Sequence, residues 1–220
     1  MARKKNSPII NKGIAFIADG ESEQWYISQI KKYYNKTMSL NQLPKTKNIQ
    51  EQYDLVNNLF REGVYDKIIW IIDFDQVIKE NNDVKNTKSQ GQPLTKFLNI
   101  YKAINNSEWN KDEKVTIIIN NPCLEFWYLL HKKLSYKYYR NYVELIPDLK
   151  KFKVDNQLFE KYKKNKDDYK NLFEKLLPYL KKMDFSKLKA FDINKCESES
   201  CSEMYKLFEV LDININNDNI

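Results

Sequence analysis

The stretch that most constrains the fold is Lys67–Asp75, which reads KIIWIIDFD. Five consecutive apolar residues lie between Lys67 and Asp73, and most of them are isoleucines, whose β-branched side chains are common in strands. The run is too short for a buried helix of ordinary length, and an unbroken apolar run is typical of a strand covered on both faces. The sequence therefore predicts a central parallel strand and, with it, an α/β fold.

Two carboxylates follow this strand, at Asp73 and Asp75. Parallel strands present ligand sites at their carboxyl ends, and side chains two residues apart on an extended chain point the same way. We therefore expect both carboxylates to converge while Phe74 turns into the core. Converging carboxylates favour a cation, and Mg²⁺ often binds one or two carboxylates together with water. A second interpretation of these residues is that Asp73 only caps a turn and Asp75 lies in solvent.

An acidic turn also follows the first apolar run, Gly13–Ala18, which predicts another strand. Gly20 allows a sharp exit from this strand, and Ser22 is a suitable N-cap for the amphipathic helix that continues to Tyr34. This order of strand, turn and helix places Glu21 in the turn.

The third apolar run, Val115–Ile119, predicts a further buried strand. Asn121 is a suitable N-cap and Pro122 a suitable first helical residue, so the pattern predicts a helix from there to about His131. Glu125 then lies in the first turn of this helix. Three predicted strands therefore each carry acid at the carboxyl end.

The remaining segments complete an α/β order in the first part of the chain. A second strand is expected within Thr37–Leu43, and helices are expected over Gln50–Arg61 and Pro93–Ile104. The polar stretch Lys79–Gln92 has no periodic apolar pattern, which predicts a mobile loop beside the acidic residues.

Helical spacing of apolar residues dominates the rest of the chain, and no strand is expected after Lys132. The helical segments are Tyr136–Phe152, Asn156–Lys181 and Ser202–Leu211. The fold class expected is α/β, with a mostly parallel sheet flanked by helices and a helical C-terminal half. We expect an α/β core over residues 1–134 and a helical region over residues 135–220, which pack together as one compact unit.

Cysteine use and apolar content exclude several classes of protein. The chain has three cysteines, Cys123, Cys196 and Cys201, without a CxxC pair, so neither a disulfide framework nor a tetrahedral zinc site is indicated. No segment approaches the length of a membrane span, and no apolar signal core follows the basic first residues. We expect a soluble cytoplasmic protein with no membrane partner.

The net charge of +7 is unevenly distributed, because residues 190–220 contain seven acidic and two basic side chains. A basic body attracts polyanions, which favours nucleic acid as a partner, although the same composition can serve solubility alone. The aromatic and basic residues of Tyr136–Arg140 could stack nucleobases. Aromatic side chains in the core beside lysines that reach solvent are the more common arrangement and the favoured interpretation.

Taken together, the three acidic strand ends resemble those of the Toprim fold and, within it, the RloB-like family. The stretches that carry the resemblance are IADGESEQWYI at Ile17–Ile27, IIWIIDFD at Ile68–Asp75 and NNPCLEFWYLLH at Asn120–His131. The last is the most specific, since its spacing of Asn-Pro, Cys, Glu, Trp and His answers no common structural need. Weaker likeness continues through the later helices.

The resemblance implies roles for individual residues. It implies that Asp73 and Asp75 bind Mg²⁺ or Mn²⁺ and that Glu21 acts as an acid or base or as a further ligand. Asp19 fills a slot in which the family usually has an acid, so that Asp19 or Glu23 could share this role. The residues expected at or near the site are Glu21, Asp73, Asp75 and Glu125, with Asp19, Glu23, Asn121 and His131 as accessory candidates.

His131 is the only histidine. It lies one helical turn after Trp127, so a buried, hydrogen-bonded histidine that supports packing is favoured over a catalytic one.

The function that the resemblance implies is metal-dependent cleavage of RNA, tRNA included, or of DNA, in a restriction or anti-phage system. An ATPase or another defence subunit encoded nearby is the expected protein partner. The first alternative is a non-catalytic module that binds nucleic acid or a nucleotide within such a system. A DxD glycosyltransferase or an aspartyl phosphatase is disfavoured, because the DxD follows a later strand and Val77 stands where the phosphatase pattern uses a hydroxyl residue.

Overall fold

The computed structural model describes residues 13–18, 20–34, 38–42, 48–87, 92–105, 109, 113–151 and 166–215. These residues form one five-stranded sheet in the order β2-β1-β3-β4-β5, in which the first four strands are parallel and β5 runs antiparallel to β4. The strands are β1 (Ile14–Ala18), β2 (Ser39–Gln42), β3 (Lys67–Asp73), β4 (Val115–Asn121) and β5 (Cys201–Ser202). The predicted α/β class with a central parallel β3 is confirmed.

Eight α-helices flank this sheet within the described residues. They are α1 (Glu21–Tyr33), α2 (Ile49–Glu62), α3 (Phe74–Thr87), α4 (Pro93–Asn105), α5 (Leu124–Lys132), α6 (Tyr142–Lys150), α7 (Lys166–Leu180) and α8 (Tyr205–Val210). A short 3-10 helix spans Phe185–Lys187. In the part of the chain that the structure covers, no helix combines the length and the apolar content needed to cross a bilayer.

The two faces of the sheet are covered by two hydrophobic clusters. Ile69 and Ile71 of β3 point to one face, where α1 and α5 to α8 contribute to the packing, whereas Trp70 points to the other, covered by α2, α3 and α4. Trp70 is fully buried, and its Nε1 donates to Gln52 Oε1 at 2.9 Å, so its polar group is satisfied inside the core. Burial on both faces explains why β3 shows no polar alternation.

The strand order also places the site. The connection from β1 leads outward to β2, whereas the later strands lie on the other side of β1, so the order reverses between β1 and β3. In open parallel sheets, ligands bind at the carboxyl ends of the strands at such a reversal. The segments that follow Ala18 and Asp73 both start there, since Ala18 pairs with Ile71 two residues before β3 ends.

The predicted mobile loop over Lys79–Gln92 is wrong for its first nine residues, because α3 continues to Thr87. The apolar pattern expected of this helix is interrupted by a polar residue on its buried face. Asn81 is buried, and its Oδ1 accepts the backbone N–H of Leu94 at the start of α4. A buried asparagine that caps the next helix interrupts the apolar period on which the prediction depended. Residues 88–91 lie outside the described residues.

The C-terminal half differs from the prediction in two places, and residues 152–165 lie outside the described part of the chain. The helix expected from Tyr136 begins only at Tyr142, because Tyr139 is held in a non-helical segment by its backbone N–H, which donates to Ser200 Oγ at 2.8 Å. Ser202 belongs to β5 rather than to a helix, which contradicts the expectation of no strand after Lys132. The helix expected over Asn156–Lys181 is described from Lys166 onward.

A buried carboxylate fastens the C-terminal segment to β4. Glu203 is 1% exposed, and its oxygens accept from the backbone N–H groups of Ile119 and Phe191, both at 3.1 Å. The Lys206 ammonium donates to the same carboxylate at 2.7 Å. Burial acts to lower the pKa of Lys206, but the Glu203 charge outweighs it and raises that pKa. Two backbone donors and one cation therefore depend on a single side chain.

We predict that Glu203→Ala lowers the free energy of unfolding by about 4 kcal/mol, because it leaves buried donors and a partly buried ammonium without their acceptor. Urea unfolding followed by tryptophan fluorescence measures the change. Glu209→Gln, at an exposed position of α8, is the matched control and should stay within about 0.5 kcal/mol of the parent. An equal effect of the two substitutions would contradict this role of Glu203.

Candidate functional site

Asp73 ends β3, and its carboxylate is oriented from the neighbouring strand. Asn120 pairs with Asp73 in the register of β3 and β4, and its Nδ2 donates to Asp73 Oδ1 at 3.4 Å. Ser202 Oγ in turn donates to Asn120 Oδ1 at 2.6 Å. Since Asn120 and Ser202 are both buried, this chain of hydrogen bonds limits the rotation of the asparagine and thus the position of the carboxylate.

Asp75 lies in the first turn of α3 rather than on an extended chain. The strand ends at Asp73 and the helix begins at Phe74, so the predicted alternation of the two carboxylates along a strand is wrong, although Phe74 is buried as expected. The backbone N–H of Asp75 donates to the carbonyl of Pro122 at 3.0 Å. This bond ties the start of α3 to the loop that follows β4.

Glu125 occupies the first turn of α5 and is 1% exposed. The neighbouring Cys123 shows which acids lie close to it. Burial raises the pKa of the Cys123 thiol well above its usual range, and the negative charges of Glu125, Asp73 and Asp75 raise it further, as does its hydrogen bond with Glu125. Asp73 at the end of β3, Asp75 in the first turn of α3 and Glu125 in the first turn of α5 all lie at the carboxyl edge of β3 and β4.

Asn121 does not cap a helix. The N-cap of α5 is Cys123 and the helix begins at Leu124, so the predicted start at Asn121 and Pro122 is wrong. Asn121 Nδ2 instead donates to the carbonyl oxygens of Cys196 and Glu199, both at 2.7 Å. These tertiary hydrogen bonds replace the capping interaction that the local sequence favoured, and they hold the C-terminal segment against β4.

The turn after β1 brings two acids to the same edge of the sheet. Glu21 lies in the first turn of α1 and is exposed, whereas Glu23 is 3% exposed. The Glu23 carboxylate lies so close to Gly20 that a Cβ atom at position 20 would collide with it. Gly20, not Ser22, is the N-cap of α1. Asp19 lies outside the described residues.

His131 has the structural role that the sequence favoured. It is buried, its Nδ1 lies 2.8 Å from the Trp127 carbonyl, and its ring meets the Trp127 ring edge-on at 4.8 Å between centroids. Burial lowers the pKa of His131 to about 4, although the hydrogen bond with the Trp127 carbonyl acts against this shift. The ring is therefore neutral at pH 7.

Divalent cations such as Mg²⁺ require hard oxygen ligands, and the carboxylates of Asp73 and Asp75 are the candidates at this edge of the sheet. Among the described side chains, no group of three or more His, Cys, Asp and Glu residues is arranged to hold a metal ion by itself. Mg²⁺ commonly takes only one or two protein carboxylates and completes its octahedron with water and substrate phosphate. Asp73 at the end of β3 and Asp75 in the first turn of α3 supply hard oxygen donors of this kind. The residues present fit such a cation.

The residues that position the acids are not apparent from the sequence pattern alone. Asn120, Ser202 and Glu203 are all polar and buried, and they connect β4 with the C-terminal segment. One signal was visible in the sequence, namely that polar Asn120 directly follows the apolar run of β4. Its pairing with Ser202, more than 80 residues later, depends on an antiparallel strand of two residues that carries no periodic pattern.

The neutral state of His131 predicts a pH dependence of stability. In the unfolded chain a histidine has a pKa near 6.5, so lowering the pH below this value protonates the unfolded state first and destabilises the fold until pH falls to about 4. We expect a loss of about 2 kcal/mol between pH 7 and pH 5. His131→Gln should remove this part of the pH dependence in urea unfolding, and an unchanged slope in the variant would contradict it.

Comparison with known proteins gives one family. A family model described as RloB-like protein matches residues 14–211, which includes β1 to β5 and all eight helices. No curated protein and no solved structure is similar enough to the chain to give a match.

Proposed function

Because the chain belongs to the RloB-like protein family, we propose that it is a Mg²⁺-dependent nuclease of the Toprim type. It would cleave phosphodiester bonds of RNA, tRNA included, or of DNA, as part of a restriction-linked or anti-phage system in the cytoplasm. An ATPase or another subunit of that system is the proposed protein partner. The observation that carries the proposal is the position of Asp73, Asp75 and Glu125 at the carboxyl edge of β3 and β4, where Asn120 donates to Asp73 and the loop after β4 accepts from the N–H of Asp75.

The proposed ligands of the cation are the carboxylates of Asp73 and Asp75. Mg²⁺ or Mn²⁺ bound there would supply charge stabilisation for a phosphodiester and lower the pKa of a water molecule. Asn120 and Ser202 keep the Asp73 carboxylate in place. The hydrogen bond from the backbone N–H of Asp75 to the carbonyl of Pro122 holds the start of α3 next to the loop that follows β4.

Acid–base roles fall to carboxylates, because His131 is buried, neutral and engaged with Trp127. Glu125 lies in the first turn of α5, at the same edge of the sheet as Asp73 and Asp75. Glu21 remains the proposed acid or base from the first turn of α1. Glu23 is a second candidate there, because its buried carboxylate lies against Gly20 at the strand reversal.

The net charge of +7 is consistent with a polyanionic substrate. Counterion release makes binding between such a protein and nucleic acid strongest at low salt. The positive charge does not distinguish a nuclease from a non-catalytic module that binds nucleic acid or a nucleotide. Turnover therefore has to be measured directly.

We predict that Asp73→Asn and Asp75→Asn each reduce cleavage of tRNA, other RNA or plasmid DNA at least 100-fold, because each removes a proposed ligand. Gel-based cleavage assays with Mg²⁺ and with EDTA measure this, and EDTA should abolish cleavage by the parent protein. Glu125→Gln, Glu21→Ala and Glu23→Gln test the acid–base candidates. Asp54→Asn, at an exposed position of α2, is the control. Full activity in both aspartate variants would exclude this site.

Direct metal binding provides a second readout. We predict that Mn²⁺ binds the parent protein in electron paramagnetic resonance titrations, and that Asp73→Asn loses this binding. Asn120→Ala should weaken it by about 10-fold, since it removes the group that orients Asp73. Binding of Mn²⁺ and nucleic acid without turnover of any substrate would support the non-catalytic alternative. Equal Mn²⁺ affinity in the parent and the Asp73 variant would rule out Asp73 as a ligand.

A further inference from the structure

A cleft of about 480 Å³ opens beside the proposed metal ligands, between α3 and the segment that leads into α6. Asp75 forms part of its wall. Gln76 and Lys79 continue the same wall along α3, and Arg140 and Tyr142 lie on the other side. The cleft therefore begins at the candidate site and extends away from it along the helix.

Two cations line this cleft, and both are exposed. Within the described residues, neither Lys79 nor Arg140 takes part in a side-chain ion pair with a carboxylate, unlike Lys137, Lys151, Lys187, Lys189, Lys195 and Lys206. Their charges are thus available to an anionic ligand that enters the cleft.

Arg140 projects from a backbone that is firmly held. Its own N–H donates to Glu144 Oε2 at 2.9 Å, and Asn141 Oδ1 accepts the N–H of Glu144 at 3.1 Å, so that the two side chains cap the start of α6 reciprocally. The preceding Tyr139 is buried and bonded to Ser200. A cation on a rigid backbone loses less entropy when it binds a ligand than one on a free loop.

We propose that the cleft binds a single-stranded polynucleotide next to the bond that is cleaved, with Lys79 and Arg140 on its phosphates. Tyr142 provides a surface on which a base stacks. This inference rests on the proposed nuclease function. The eight helical steps from Asp75 to Asp83 rise about 12 Å along α3, which is the length of about three nucleotides of one strand. The volume lies in the range of small-ligand sites, which favours one strand over a duplex.

The cations and the acid that line the cleft should have opposite effects on the binding of a phosphate chain. Asp83 also lines the cleft, and its carboxylate repels a phosphate that passes it. Removal of a cation should therefore weaken binding, whereas removal of the Asp83 charge should strengthen it. A general loss of folding does not produce opposite effects of this kind, and charge substitutions elsewhere on the surface separate the cleft from an effect of net charge.

Fluorescence anisotropy with labelled 12-nucleotide RNA and DNA single strands tests the proposal, with EDTA present to prevent turnover. We expect Arg140→Gln and Lys79→Gln each to weaken binding about 10-fold and to reduce the slope of log affinity against log salt by about 0.7. Tyr142→Ala should lower the affinity for the single strands at least fivefold. Tyr142→Phe retains the stacking surface and should bind them like the parent. Asp83→Asn should bind a few-fold more tightly.

Two matched controls remove the same kinds of charge elsewhere. The first control is Arg61→Gln, and Arg61 lies in the last turn of α2. The second is Lys182→Gln, and Lys182 lines a second cavity of about 330 Å³ together with Lys132 and Lys187. Both should leave affinity within twofold of the parent. An effect of Lys182→Gln equal to that of Lys79→Gln would assign binding to general positive charge and overturn the proposal.

The failures of the two proposals are distinguishable. If the parent cleaves nucleic acid but Arg140→Gln and Lys79→Gln change neither affinity nor salt slope, the cleft proposal fails and the nuclease stands. If single strands bind as expected but no substrate is cleaved with Mg²⁺ or Mn²⁺, the nuclease proposal fails. Tighter binding of a matched duplex through the same residues, or no binding to any probe, would also overturn the single-strand cleft.

Discussion

The structure around the candidate site depends on how the carboxyl end of β4 is completed. On the edge that faces away from β3, β4 would otherwise present backbone N–H and C=O groups without hydrogen-bond partners. Such groups need partners when they are buried. The two residues of β5 and the Glu203 carboxylate together provide those partners. The same contact brings Ser202 to Asn120 and Asn120 to Asp73. A segment near the end of the chain thus determines where a carboxylate at the end of β3 points.

The parallel strands were predictable because their signal is local. The runs of β1 and β3 are apolar without a break and that of β4 is interrupted only by Thr116, because burial on both faces of a sheet permits little else. The errors arose where a polar residue is buried. Asn81 interrupts the apolar pattern on the buried face of α3, where it accepts a hydrogen bond from Leu94. Asn121 is suited to a helix cap, but its side chain donates instead to two carbonyl oxygens that are distant in sequence. Local propensity is overruled in such places because an unsatisfied buried group costs more than a less favourable helix start.

The candidate site was predictable in outline for a related reason. In a parallel sheet, residues that follow different strands meet at one edge whatever their distance in sequence, so acids after β3 and β4 could be placed together before any coordinates. Which acid of the first turn lies inward could not be predicted. Glu21 and Glu23 are two residues apart on a helix and point to different sides, and only the close approach of Glu23 to Gly20 distinguishes the buried one.

The buried acids of this protein fall into two kinds. Glu203 is compensated within the chain by two N–H groups and by Lys206, as expected of a carboxylate whose role is structural. Asp73, Asp75 and Glu125 lie instead at the carboxyl edge of β3 and β4, where burial and then their charges raise the pKa of the Cys123 thiol well above its usual range. In the adjoining cleft, Lys79 lies one turn after Asp75 on α3, and Arg140 lies on the opposite wall. Carboxylates at the strand ends with these two cations beside them are the arrangement needed to hold a divalent cation and a phosphate chain side by side, because the carboxylates attract the cation and the cations attract the phosphates.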